Sequence, residues 1–170
     1  MDTKVVRIKG DGLYANAKGF LKWLAGSLLP QKFGNPFHVD IKLISADGTL
    51  KSRRRIFNTV TTAGKNGIAD QILATPSLGK PTHMAVGTGT GGTTTLNTEV
   101  DRNALTSKTR SGAVVTMVGD WAAGDATAAL TEAGVFTDPT TGDMWLYTTF
   151  AVINKGASDG LQITWTLTIS

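Results

Sequence analysis

The stretch Leu161-Gln162-Ile163-Thr164-Trp165-Thr166-Leu167-Thr168-Ile169 alternates without interruption: Leu161, Ile163, Trp165, Leu167 and Ile169 face one way, and Gln162, Thr164, Thr166 and Thr168 the other. Successive side chains of a strand point to opposite faces, so this segment packs one face and leaves the other wet or against a partner. A slip of one residue would invert every side chain, which fixes the register. A strand this regular is an aggregation hazard at an open edge, and it is expected at the centre of a sheet or under a neighbour. Working upstream, strand-like segments recur at Leu105–Arg110, Ala113–Trp121, Thr127–Thr137 and Met144–Ile153. Turn residues separate them: Ser111-Gly112, Ala123-Gly124-Asp125, Asp138-Pro139-Thr140-Thr141-Gly142, and Asn154–Gly160 before the last strand. Short strands at regular spacing with turn chemistry between them are the signature of a sandwich or barrel. The 26 Thr among 170 residues favour half-buried strands, and the 20 Gly and 5 Pro favour the turns between them. The expected fold is mainly β: an antiparallel, jelly-roll-like β-sandwich with one or two short helices and an N-terminal arm.

Towards the N-terminus, Phe37, Val39, Ile41 and Leu43 alternate with polar residues, Asp47-Gly48 is a strong turn, and LKSRRRIFNTV returns. In an extended strand Arg53 and Arg55 point one way and Arg54 the other, so this is not a one-sided basic stripe. Thr61-Thr62 precedes AGKNGIADQILA, in which Ile68, Ile72 and Leu73 fall at helical spacing behind a Thr cap. Before the hairpin, Asn16–Leu29 places Ala17, Phe20, Leu21, Leu24 and Leu28 three and four apart, with Asn16 as N-cap and Pro30 as stop. Gly19 and Gly26 each cost about 1 kcal/mol relative to Ala there, so this amphipathic helix is expected to need a docking surface.

Composition excludes several classes. A chain of this length buries roughly 68–70% of its extended surface and needs no metal or disulfide staple. There is no Cys, which removes thiol nucleophiles, thiolate metal sites and disulfides. No apolar run approaches the roughly 18–20 residues of a bilayer span, and MDTKVVRIKG lacks the apolar segment of a secretion signal, so the chain reads as soluble and cytosolic. The net charge of +4 is unevenly spread: residues 1–58 hold 11 basic and 4 acidic side chains, residues 59–170 hold 6 and 9. That asymmetry points to an acidic partner for the first segment.

Candidate chemistry is sparse. Gly87-Thr88-Gly89-Thr90-Gly91-Gly92 formally contains G-x-G-x-x-G, but the TTTLNT that follows is poor helix material and no Gly-Lys-Ser/Thr follows the glycines. A dinucleotide or Walker site needs one or the other, so the loop reads as a turn between strands. His38 and His83, the only histidines, would have to recruit a distant carboxylate to hold zinc, and read as hydrogen-bonding residues. Glu99, Asp101 and Glu132 have no flanking residues that imply burial, and with Arg102 beside the first two they read as ion pairs near a loop. No G-x-S-x-G elbow is present. No catalytic residue, cofactor or metal is expected. The clustered Arg53, Arg54 and Arg55 read first as a solvated strand face, and as contacts they suit an acidic protein surface better than nucleic acid, which would want interleaved aromatics where only Phe57 is near. Lys18 and Lys22 are too few to hold the N-terminal helix on an anionic membrane. These five basic residues are the expected partner contacts, with neither nucleic acid nor membrane as partner.

From Asn58 onward the order of motifs resembles a family of small tailed-bacteriophage virion proteins found as tail-fibre, tail-collar and head-decoration components. The resemblance lies in Asn58-Thr59-Val60-Thr61-Thr62-Ala63-Gly64-Lys65-Asn66, Thr82-His83-Met84-Ala85-Val86-Gly87-Thr88-Gly89, Thr98-Glu99-Val100-Asp101-Arg102 and Leu130-Thr131-Glu132-Ala133-Gly134-Val135-Phe136. It ends with Asn154-Lys155-Gly156-Ala157-Ser158-Asp159-Gly160-Leu161-Gln162-Ile163-Thr164-Trp165-Thr166-Leu167. It implies a β-sandwich that builds the virion, oligomeric and commonly trimeric, with no catalytic residues. Residues 1–57 carry no such resemblance and read as a basic anchor, residues 58–170 as the virion module. Without heptads or repeats there is no fibre shaft. The expected role is therefore a capsid decoration or cement protein on the head exterior, contacting copies of itself and the major capsid protein, in a virion assembled in the host cytoplasm. The alternative is a tail, neck or collar component, or a receptor-binding tip, for which Trp121 and Trp145 are the glycan candidates, although both read first as core residues of strands.

Overall fold

The computed structural model describes residues 38–169, which fall in one compact unit, Gly34–Ile169. The helix expected over 16–29, with Lys18 and Lys22, lies outside the described residues. The chain runs β1 (His38–Ile44), β2 (Leu50–Phe57), β3 (Thr59–Val60), α1 (Thr62–Asp70), β4 (His83–Gly87), β5 (Glu99–Ala104), β6 (Ser107–Ser111), β7 (Val114–Trp121), β8 (Ala128–Phe136), β9 (Met144–Lys155) and β10 (Gly160–Thr168). Two antiparallel five-stranded sheets result, ordered β2-β1-β10-β7-β6 (sheet A) and β3-β9-β8-β4-β5 (sheet B).

The alternating strand β10 is the middle strand of sheet A, flanked by β1 and β7. Its inward residues Leu161, Ile163, Trp165 and Leu167 meet Val39, Ile41, Met117 and Trp121 of the same sheet and Met84, Val86, Leu130, Val135 and Ile153 of the other. Central placement gives both of its edges a partner, which removes the hazard that such a strand carries at a rim. The indole N–H groups of Trp121, Trp145 and Trp165 have no hydrogen-bond partner in this core, so these rings earn their place by packed area alone.

The expected boundary at 57/58 is displaced. β1 pairs along its whole length with β10, from His38↔Thr166 to Ile44↔Gly160, and β2 pairs with β1. Inward-facing Val39, Ile41 and Leu43 are core residues, so the hairpin is an integral part of the sandwich and not of an arm. The physical reason is that β10 needs two neighbours and β7 supplies only one. Moving the hairpin into the body also changes the charge division: residues 38–169 hold eleven basic and eleven acidic side chains, and the whole excess of +4 sits in residues 1–37.

β2 and β3 are nearly one strand that changes sheet at Asn58, β3 pairing Thr59 and Val60 with Tyr147 and Leu146. The helix then forms where its cap was expected: the Gly64 N–H donates to Thr61 Oγ1 at 3.0 Å. Thr61 Oγ1 in turn donates to Met144 O, tying the cap to β9. α1 ends at Asp70, and Ile72 and Leu73, expected on its apolar face, lie beyond it and exposed. The face that packs is Gly64 and Gly67: a Cβ on Gly67 would overlap the Trp145 ring, and one on Gly64 the Trp145 carbonyl. Two glycines that look like helix breakers are what lets the helix lie on the indole.

Candidate functional site

Three polar constellations stand out, and each is built by neighbouring strands. On the outer face of sheet A, Asp40 of β1 lies between Arg53 and Arg55 of β2. Arg53 Nε and Nη2 reach Asp40 Oδ1 at 3.1 and 2.9 Å, and Arg55 Nε and Nη2 reach Oδ2 at 3.1 and 2.8 Å. The Arg55 hydrogen bond is the largest effect on the Asp40 carboxyl; burial opposes it, and with the bond and charge of Arg53 added the carboxyl is held below the usual carboxylate range. Both arginine side chains remain more than half exposed, at 52 and 61%, so each keeps donors for a partner while one side is fixed. Arg54 points the opposite way, as strand alternation requires, and donates through Nη2 to Val152 O of β9 at 3.3 Å. The three arginines are therefore split: two on an open sheet face and one across the seam between the sheets.

That face is rich in hydroxyls. The pairing register aligns Thr109, Thr116, Thr166, His38 and Phe57 in one row across all five strands, and Ser107, Val118, Thr164, Asp40 and Arg55 in the next. His38 Nε2 lies 3.8 Å from Asp40 Oδ2.

The second constellation covers the outer face of sheet B. Glu132 of β8, expected in an ion pair near a loop, is instead fully buried. Its carboxylate accepts from Thr98 N (2.8 Å), Gly89 N (3.2 Å), Asn97 N (3.2 Å) and Tyr147 Oη (3.0 Å). Tyr147 Oη also accepts from Gly92 N at 2.9 Å. Burial, which outweighs the Gly92 bond, raises the phenol above its ordinary value. Here the glycine loop finds its explanation. A Cβ on Gly89 would lie 2.7 Å from Glu132 Oε1, and one on Gly92 would overlap Thr95 O, so the loop is glycine-rich in order to close on the carboxylate. Leu96 plugs the same loop into Ala85, Phe136, Met144 and Tyr147. A carboxylate surrounded by four donors of its own chain is a latch, with no lone pair free for a general base. The signal in the sequence was the pair of close-spaced glycines facing an acid across a strand order that only the fold reveals.

The third lies at the β9–β10 turn. Lys155 is buried, donating to Ala122 O (2.9 Å) and Asp159 O (2.6 Å), and burial lowers its ammonium below the ordinary value despite the charges of Asp125, Asp159 and Asp101. Asp159 receives Lys51 Nζ on both oxygens at 3.0 Å, joining the turn to β2. Glu99 and Arg102 form the expected pair at 2.6 Å, and the Arg102 guanidinium lies 3.7 Å from the centre of the Phe136 ring.

The remaining candidates separate. His83 Nδ1 is bonded to Thr82 Oγ1 at 2.8 Å on β4, in the sheet opposite His38. Among the described residues no three His, Asp or Glu side chains converge on a metal position. Trp121 and Trp145, the glycan candidates, are 1 and 5% exposed and belong to the core. A cleft of about 330 Å³ lies between Thr59–Thr62 and Lys65 on one side and Gly92, Thr93 and Tyr147 on the other. No helix among the described residues is long and apolar enough to cross a membrane. Comparison with family models, curated proteins and solved structures finds no match to this chain.

Proposed function

We propose that this chain is a non-enzymatic structural protein of a tailed-bacteriophage virion, a decoration or cement protein on the head exterior that associates with copies of itself, as a homotrimer, and with the major capsid protein. The observation that carries the reading is how the five resembling sequence blocks fall on the sandwich. Asn58–Asn66 is the sheet crossing and helix cap, Thr82–Gly89 is β4 and the start of the glycine loop, and Thr98–Arg102 is the far end of that loop with most of β5. Leu130–Phe136 holds the buried latch on β8, and Asn154–Leu167 the Lys155 turn with β10. A shared module is expected to share residues that hold it together, and these blocks contain several of them, among them the Thr61 cap, Glu132, Lys155 and the inward face of β10.

Such a protein acts through contact area. The outer face of sheet A supplies a broad polar surface, with Arg53 and Arg55 held in place by Asp40 and still carrying donors for acidic groups on a lattice. The excess positive charge lies in residues 1–37, which include Lys18 and Lys22, so the anchor role falls on that segment together with the Arg face. A tail, neck or collar position is the second reading and shares the same surface. A glycan-binding tip loses the two indoles assigned to it, since both are interior.

The test is occupancy on purified heads. The full chain and a version beginning at Gly34, which keeps both strands of the hairpin, are added to heads, and bound copies are counted. Hundreds of copies of the full chain with little binding of the shortened one support the head-exterior reading and the anchor. Equal binding of both removes the anchor role. A few to a few dozen copies per particle favour the tail or neck, and absence from washed particles ends the virion reading.

A further inference from the structure

The cleft of about 330 Å³ beside α1 falls at the small end of the range for ligand pockets, roughly 300–1,000 Å³. One wall is β3 with the first turn of α1, the other is the tip of the glycine loop, and Tyr147 of β9 joins them. Both walls are fixed. Tyr147 Oη donates to Glu132 and accepts from Gly92 N, and a Cβ on Gly92 would lie 3.1 Å from the Tyr147 ring, so the loop rests against the edge of the phenol. Thr61 is tied on the other side, its hydroxyl accepting from Gly64 N and donating to Met144 O. A site held in shape before its ligand arrives loses less free energy to ordering.

What the walls offer narrows the ligand. Lys65 is the one charged residue lining the cleft; it is exposed and enters none of the salt bridges among the described residues. Such an ammonium suits a single anionic group. Unlike Thr61, Thr59, Thr62 and Thr93 are exposed, and their hydroxyls bond to nothing else among the described residues. A hydroxyl both donates and accepts, so these three match a ligand whose own groups do both. Tyr147 is half-buried with its hydroxyl proton held by Glu132, so it presents ring carbon to the cleft, and Val60 adds an apolar side chain. An apolar surface beside hydroxyls and one cation fits a pyranose. Its C–H face lies on the aromatic ring, its hydroxyls meet the threonines and a carboxylate meets the ammonium. A nucleotide carries more negative charge than one lysine balances, and a purely apolar ligand would leave the threonine hydroxyls without partners.

We propose that this cleft binds a sugar acid, one pyranose unit bearing a single carboxylate. The site is separate from the buried indoles of Trp121 and Trp145 and is built on sheet B, whereas the Arg53/Arg55 face belongs to sheet A. It stands with or without the virion reading, because the binding is measured on the isolated chain.

The experiment titrates the full, isotope-labelled chain with galacturonate, with galactose and with acetate, following the amide resonances of Thr62, Lys65, Gly92 and Thr93 by NMR. The expected result is saturable shifts at these amides with galacturonate, at a dissociation constant in the millimolar range. Galactose, which lacks the carboxylate, and acetate, which lacks the ring, are expected to bind about three- to fivefold more weakly, or less. Lys65→Gln loses the same factor for galacturonate, and Thr93→Val weakens galacturonate while leaving acetate unchanged. Lys80→Gln, exposed and outside the cleft, binds as the natural chain does. Each variant changes an exposed side chain, and its melting temperature checks that the fold is kept. Should a variant melt early, the comparison of ligands on the natural chain decides alone. Acetate binding as tightly as galacturonate reduces the site to an anion contact and overturns the proposal. Galactose binding equally well, a folded Lys65→Gln that binds unchanged, or no saturable shift at these amides overturns it too.

Discussion

Gly67 shows how one position can reverse a general rule. In an exposed helix Gly→Ala gains about 1 kcal/mol. Here the added Cβ would enter the space of the Trp145 ring, and α1 would have to lift from β9. Gly67→Ala is therefore expected to destabilise by about 1–3 kcal/mol, the range for overpacking, as a lower midpoint in urea unfolding at unchanged slope. Asp40 makes a prediction in pH. Its carboxyl is lowered in the folded protein, first by Arg55 and then by Arg53, so the unfolded chain binds a proton more readily. The stabilisation is complete above the unfolded value near 3.8 and is lost as pH falls from there through the lower folded value. A urea midpoint followed from pH 6 downward should fall in that window, and Asp40→Asn should lower stability at neutral pH while flattening the acid limb.

Among elements, the glycine loop and β8 are coupled through Glu132. Glu132→Gln replaces one acceptor oxygen by an NH₂ group that would face backbone donors, and the loss of charge-assisted bonds amounts to about 1.5–3 kcal/mol. The expected result is a lower melting temperature together with faster hydrogen exchange at the Gly89 and Thr98 amides, and a smaller loss in Tyr147→Phe, which keeps the carboxylate. Exchange at those amides unchanged in Glu132→Gln would show that Leu96 alone holds the loop. β5 illustrates why some elements escape a sequence reading. Glu99-Val100-Asp101-Arg102-Asn103-Ala104 has one clearly apolar position and reads as a charged loop, yet it pairs with β4 from His83↔Ala104 to Gly87↔Glu99, with a shift of register that leaves Val100 without a partner. Edge strands are charged because their outer side has no partner, and that same charge erases the alternation by which strands are recognised.

For the whole molecule, the hairpin 38–57 decides what can be removed. Deleting residues 1–57 takes away β1, leaving one side of β10 bare and stripping Val39, Ile41 and Leu43 from the core. That version is expected to lack a cooperative thermal transition by circular dichroism, whereas the chain from Gly34 retains one. A cooperative melt of the 58–170 fragment would show that the sandwich closes without its first hairpin. The neutrality of residues 38–169 follows from the same boundary: the hairpin's excess of basic residues is balanced by the acids of the later strands, in part by direct pairs such as Lys51 with Asp159.

Local pattern was enough for the strands with one wet face and one buried face. The alternation of 161–169, the Asp47-Gly48 turn with Gly48 at φ +83° and the Thr61 cap are each written in neighbouring residues, because strand pleat, turn geometry and capping are local constraints. Even the division of Arg54 from Arg53 and Arg55 follows from the two-residue period. The latch on Glu132, the fit of Gly64 and Gly67 to Trp145, the burial of Lys155 and the allegiance of the hairpin were decided only in three dimensions. Each joins residues tens of positions apart, and whether an acid is exposed or a glycine is a breaker depends on what the far segment brings against it.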